Sequence, residues 1–261
     1  MKGGVGKTTC SVGLAFELAE SFNKKVLFID LDPQTNASII LMNEENYQTY
    51  DRDKKTIADA FDNSQDLLGE KGSKNDINDL IIENIWRTKG KFDLIPSSIR
   101  LFEKQQYLNQ IPYSESFLKE KLQLITKVTY DYCIIDCPPD FDKLVISALG
   151  ASNFYLIPIR PDYLSQQGLI VLENKLQAIK SHLMCKFIGI IINLIPTTKG
   201  EFYKLIKKDL ENKYGNHVLG NVKEYQVYSK WPDTHKPLST LSDRNPFIEI
   251  AKNIIEFTKN E

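Results

Sequence analysis

Lys2-Gly3-Gly4-Val5-Gly6-Lys7-Thr8-Thr9 is the stretch on which the reading of this chain turns. Glycines at this density leave backbone N–H groups uncovered and free to converge on an anion. The residues that follow, Thr8–Phe22, carry the pattern of a long amphipathic helix, whose positive end points back at the same place. Lys7 would add a counter-charge for β- and γ-phosphates, and the Thr8 hydroxyl a ligand for Mg²⁺. Gly3, Gly4, Val5, Gly6, Lys7, Thr8 and Thr9 are therefore the expected phosphate-binding set.

Outward from this loop, apolar runs alternate with helical patterns. Val26–Asp30, Phe92–Pro96, Tyr132–Asp136, Phe154–Pro158 and Phe187–Asn193 are continuous and rich in β-formers. Runs without polar alternation belong to strands covered on both faces. Longer helical segments such as Gln166–His182 lie between them. The alternation predicts an α/β fold with a doubly wound, mostly parallel sheet flanked by helices, with residues 1–261 forming a single domain. Asn43–Lys55 is polar and charged and reads as a loop or the edge of a mobile lid. Gly69–Asp76 is a cluster of structure breakers.

Two of the strands end in carboxylates. Asp30 and Asp32 are two residues apart and would share a strand face. Asp136 closes Tyr132–Asp136, and Pro138-Pro139 forces a stiff, extended exit behind it. Composition narrows the functional classes. The 261 residues are 42% hydrophobic with a net charge of -1, so a nucleic-acid contact has to come from a local basic patch. Cys10, Cys133, Cys137 and Cys185 lack zinc-finger or C-x-x-C spacing and read as small hydrophobes. With no signal peptide and no run near the ~18 apolar residues needed to span a bilayer, a reduced, cytoplasmic setting is expected.

The eight residues quoted at the outset resemble the deviant Walker A motif of the ParA/MinD family of P-loop ATPases, nearest to the short ParA-type partitioning proteins. The strict phosphate-loop pattern asks for glycine where Met1 stands. Asp30-Leu31-Asp32-Pro33-Gln34 resembles the family's second motif and Tyr132–Asp136 its Walker B strand. Phe92–Leu101 and Phe154–Gly168 resemble further family segments, so the likeness covers nearly the whole chain. The resemblance implies a role for each residue. Lys2 reaches across a dimer to the partner's nucleotide, stabilising charge on the transferring phosphoryl group in trans. Asp32 orients the attacking water. Asp30 and Asp136 stand at the Mg²⁺ with Thr8. Asn193 contacts adenine. It implies a slow ATPase using ATP and Mg²⁺, which dimerises with ATP, binds DNA without sequence preference in that state and associates with the nucleoid. A ParB-like adaptor would stimulate hydrolysis, and the task would be the segregation of plasmid or chromosomal DNA.

Seven lysines and four acids lie between residues 199 and 230, an excess of basic charge in a chain that is acidic overall. Lys204, Lys207, Lys208, Lys223 and Lys230 are the candidate DNA contacts; a solvated helix face would explain the same lysines without DNA. A MinD-like membrane ATPase is the competing reading. The tail Phe247–Lys259, however, spaces its apolar residues for packing on the domain and has only Lys252 and Lys259 as basic residues, so no membrane contact is expected. A third reading is an interaction module that does not hydrolyse nucleotide. It draws on one anomaly: family members carry about ten residues of central strand ahead of the loop, where this chain has Met1 alone. The first strand is therefore expected to be missing from these 261 residues, with the natural product starting upstream.

Overall fold

The computed structural model describes residues 4–61, 76–108, 116–179, 184–197, 200–224 and 226–259. Its strands are β1 (Lys25–Asp30), β2 (Lys91–Ile95), β3 (Tyr132–Asp136), β4 (Phe154–Ile159), β5 (Lys186–Ile195) and β6 (Val218–Lys223). They form two parallel sheets of three strands, in the orders β2-β1-β3 and β4-β5-β6. The architecture is α/β with parallel sheets between helical layers, the class expected from the continuous apolar runs. Among the described residues the sheet is divided between β3 and β4, in line with the expectation that its first strand is missing.

The apolar runs are continuous because both faces of the strands are buried. Val26, Phe28, Phe92 and Leu94 pack on one face against α1 (Lys7–Glu20) and α11 (Leu241–Lys259). Leu27, Ile29 and Ile95 pack on the other against α6 (Phe117–Gln123) and α7 (Lys143–Ala151), through Leu118, Leu144 and Ala148. In the second sheet, Ile157, Ile159, Ile190 and Ile192 meet α8 (Tyr163–Ile179) and α9 (Glu201–Tyr214). Each such side chain contributes roughly 1.5–3 kcal/mol by leaving water. Arg244 of α11 locks onto the buried Glu17 of α1 through two bonds of 2.6 and 2.9 Å. The phosphate-loop helix is thereby fastened to the end of the chain.

The order β2-β1-β3 places the carboxyl ends of β1 and β3 side by side, with Asp30 opposite Asp136 in the register. Ligands of open α/β sheets sit outside such ends, where the strand order reverses. The reading of residues 43–55 as a loop is corrected. Their polar stretch forms α3 (Glu44–Arg52) between α2 (Asn36–Leu41) and α4 (Ile57–Ala60). Asn43 caps α3 by accepting from the Asn46 amide, and Glu44 and Glu45 face its positive end. Strand β6 and α10 (Gln226–Lys230) complete the second half with α5 (Leu101–Leu108) in the first. Of the breaker cluster 69–76, only Asp76 lies within the described residues, where it caps a short 3₁₀ turn over Ile77–Leu80.

Candidate functional site

Gly6 opens α1 with φ +77°, and Gly4 before it has φ +82°. L-residues with side chains rarely adopt this region, and at Gly6 a Cβ would also lie 2.2 Å from Asn193 Nδ2. Asn193 is buried on β5 and its Nδ2 donates to the Val5 carbonyl at 2.8 Å. The structure therefore gives Asn193 a role the sequence reading missed, as a buttress beneath the loop. One of its two amide N–H groups is engaged there.

One helical turn into α1, the Ser11 hydroxyl donates to Asp136 Oδ1 at 2.8 Å. Thr8 also hydrogen-bonds to Asp136, and the Lys7 ammonium acts on it electrostatically. Asp136 is buried, and its second oxygen, Oδ2, has no hydrogen-bond partner. Burial pushes its pKa up to about 6, against the pull of Thr8, Ser11 and Lys7, and the nearby Asp32 adds to the rise. A buried carboxylate oxygen left open beside a threonine hydroxyl and a lysine is a poor arrangement for an empty polypeptide. It fits a hard cation that takes one or two carboxylates and completes its shell with phosphate and water. Among the described residues no group of three or more His, Cys, Asp or Glu side chains could hold a metal by itself.

Asp30 is differently placed. Its Oδ1 accepts from the Asp32 amide at 3.1 Å, and its Oδ2 from the Ser38 amide and hydroxyl at 2.8 and 2.7 Å. Burial, followed by the Asp136 charge, raises its pKa to about 8. Both oxygens accept hydrogen bonds from the protein, so Asp30 organises the loop that carries Asp32. Ser97, after β2, donates its hydroxyl to the Asp32 carbonyl at 2.6 Å and its amide to Ser38 Oγ at 2.8 Å. Asp32 itself accepts from the Gln34 amide through Oδ1 at 2.9 Å and is near enough to Asp136 to raise its pKa. Three loops, following β1, β2 and β3, thus meet around one carboxylate cluster. Lys2 and Gly3 lie outside the described residues.

Against this geometry the comparisons decide the family. A family model described as an AAA domain matches residues 1–188. The chain is 30% identical to the sporulation initiation inhibitor protein Soj of Bacillus subtilis, covering 97% of this chain and 94% of that one. It is 28% identical to the chromosome-partitioning ATPase Soj of Treponema pallidum, over 92% and 86% of the two chains. The chain belongs to the ParA/MinD family of P-loop ATPases. In fold, it superposes with a TM-score of 0.80 on a putative plasmid partition protein of Borrelia burgdorferi bound to AMPPNP, at 23% identity over 98% and 96% of the chains.

The remaining ParA-type candidates are dispersed. Lys204 and Lys208 stand on α9 away from Ile206, Leu210 and Tyr214, which bury its other side, and the half-buried Lys207 lies at the edge of that packed side. Lys204 and Lys208 are exposed, and Lys207 pairs with Glu211 one turn on. Lys223 ends β6 and Lys230 ends α10; both are exposed. At the tail, the apolar face of α11 is occupied: Phe247, Ile250, Ala251, Ile254 and Ile255 are buried in the core. Among the described residues no helix is long and apolar enough to cross a membrane.

Proposed function

We propose that this chain is a ParA-type switch that binds ATP with Mg²⁺ at Gly3–Thr9, hydrolyses it slowly and acts in DNA segregation. The observation that carries the nucleotide reading is the open, buried Oδ2 of Asp136 behind the amino end of α1. Lys7 and the loop amides would hold the β- and γ-phosphates, and Thr8 and Asp136 would hold Mg²⁺. The ion supplies charge neutralisation on the phosphates when bound. Asp32, on a loop pinned by Asp30, Ser38 and Ser97, would position the attacking water. Lys2 would complete the site in trans, which makes a lone subunit a weak ATPase and couples turnover to dimerisation. Soj relatives named for chromosome partitioning and a fold neighbour named for plasmid partition support the DNA-segregation role. Under it, the ATP dimer would bind DNA without sequence preference through the α9 lysines, and a ParB-like adaptor would stimulate hydrolysis. The buried face of α11 favours this over a MinD-like membrane anchor.

Titration calorimetry and phosphate release on two variants test the reading together. Lys7→Ala is expected to weaken ATP–Mg²⁺ binding by about 100-fold, the scale of lost charge-assisted hydrogen bonds. Asp32→Ala is expected to keep the parent's affinity and lose turnover. Undiminished binding by Lys7→Ala would remove the phosphate-site assignment; full turnover by Asp32→Ala would remove the water-positioning role.

A further inference from the structure

Helix α3 buries no residue, so apolar burial does not hold it in place. Polar contacts do, and they run along two routes to one atom. The first route starts at Arg100. Its guanidinium bonds both oxygens of the buried Asp59 at 2.6 and 3.0 Å, and reaches the Asp51 carboxylate and carbonyl, each at 3.1 Å. One planar fork thus ties the last turn of α3 to α4. Asp51 also accepts from the Ser98 hydroxyl at 2.6 Å, and the Pro96 carbonyl takes the Ile57 amide of α4 at 2.8 Å. Between Pro96 and Ser98 stands the buried Ser97, whose hydroxyl donates to the Asp32 carbonyl at 2.6 Å. The second route starts at Tyr47 on α3. It hydrogen-bonds the Thr35 side chain and lies within electrostatic reach of Asp30, Asp51 and Arg100. Thr35 is buried, β-branched and held at φ +60°, a conformation that such residues keep only where their surroundings impose it. It stands at the N-cap of α2, yet its hydroxyl caps no amide there. The Thr35 amide donates to the Asp32 carbonyl at 2.9 Å. Both routes therefore end on the same oxygen.

We propose that α3 is a latch on the Asp32 loop, in which Tyr47 and Arg100 are positioning residues that set the Asp32 carboxylate, one through Thr35 and the other through Ser98 and Ser97. The proposal rests on the reading of Asp32 as the group that positions the attacking water. Asp32 Oδ1 accepts from the Gln34 amide inside the turn that Thr35 closes, so the carboxylate moves with that turn. A displacement of about 1 Å at a positioning group costs on the order of 100-fold in rate. Helix α3 supplies none of the phosphate-binding residues, so the latch governs turnover and leaves nucleotide affinity alone. A helix held by polar contacts at its rim also opens more easily than the domain unfolds. Control over hydrolysis thereby sits on an element that solvent, or anything in it, can reach.

Three mild variants test the latch. Tyr47→Phe removes the hydroxyl and keeps the ring, Thr35→Val removes its partner and keeps the shape, and Ser98→Ala cuts the other route. Each is expected to lower kcat for phosphate release at least ~10-fold, with ATP–Mg²⁺ affinity by calorimetry within about 2-fold of the parent. Thr35→Ser, which keeps the hydroxyl, is expected to retain most of the turnover. Tyr47→Phe and Thr35→Val combined are expected to cost no more than either alone, since both remove one bond. Amide hydrogen exchange at Thr35, measured without nucleotide, is expected to quicken ~10-fold in Tyr47→Phe and in Ser98→Ala. A lowered melting temperature with unchanged kcat and unchanged Thr35 exchange would make α3 a structural helix alone and overturn the proposal. So would equal losses of turnover in Thr35→Ser and Thr35→Val, because the hydroxyl would then carry no part of the effect. A parent without turnover, or an Asp32→Ala variant with full turnover, would remove the hydrolytic reading instead. The hold of α3 on the Asp32 loop is then decided by Thr35 exchange, and unchanged exchange would overturn it.

Discussion

Asp30 and Asp136 lie opposite each other at neighbouring strand ends, and each raises a question of charge. Burial, reinforced by Asp136, holds Asp30 up near 8, far above its ordinary 3.8. The folded chain therefore keeps a proton on Asp30 that the unfolded chain has already released. Between about pH 4 and pH 8 this group removes stability as the pH rises, the reverse of an ion-paired carboxylate. Replacing it with the uncharged Asp30→Asn is expected to flatten the fall in melting temperature from pH 6 to pH 8 in nucleotide-free protein; parallel curves for parent and variant would contradict the buried charge. The sequence made some of this legible. Lys7, Thr8 and Asp136 stand in one short loop and at one strand end, so their chemistry can be read locally. Ser38 and Ser97 could not be read that way, because Ser38 meets Asp30, and Ser97 meets Ser38 and Asp32, only through the fold. Ser11 carried a weak signal, one turn beyond Lys7 on the same helix. Asn193 was singled out as an asparagine ending an apolar run, but its bond to Val5 spans 188 positions.

Among the elements, α3 shows where periodicity fails. It buries no residue, so it has no apolar stripe to announce it, and its caps and end charges define it instead. A tertiary clamp holds it: Arg100 bonds Asp51 of α3 at 3.1 Å and Asp59 of α4 at 2.6 Å, while Ser98 donates to Asp51 at 2.6 Å. Asp59 is 1% exposed, so Arg100→Ala would leave a buried carboxylate without its cation. A loss of about 3 kcal/mol in chemical denaturation is expected. Strand β6 escaped detection for another reason. Gly220 and Asn221 interrupt its apolar run, and Gly220 is required because a Cβ there would come within 2.5 Å of Ile250 Cγ1 on α11. Helix α9 was expected as a basic face. Reversing Lys204, Lys207 and Lys208 to glutamate is expected to weaken ATP-dependent DNA binding at least ~10-fold and to lower its salt dependence, leaving ATP affinity unchanged. Fluorescence anisotropy with duplexes of unrelated sequence measures both; unchanged affinity would assign DNA contact to another surface.

At the scale of the whole molecule, strand–helix alternation revealed the class of fold, because burial on both faces is written into each strand. The division of the sheet between β3 and β4 follows the expectation of a missing first strand and not any single run, since pairing partners are set by topology. That division has a practical side. Among the described residues β3 and β4 each have one edge without a strand, and two such edges bordering an oily trough are adhesive toward any stretched apolar chain, including another copy caught partly unfolded. The 261-residue protein is expected to cloud on standing, with turbidity at 350 nm climbing more steeply than in proportion to concentration and faster on mild warming. Dilution and cold would then decide how long a preparation lasts, well before any assay of its chemistry begins.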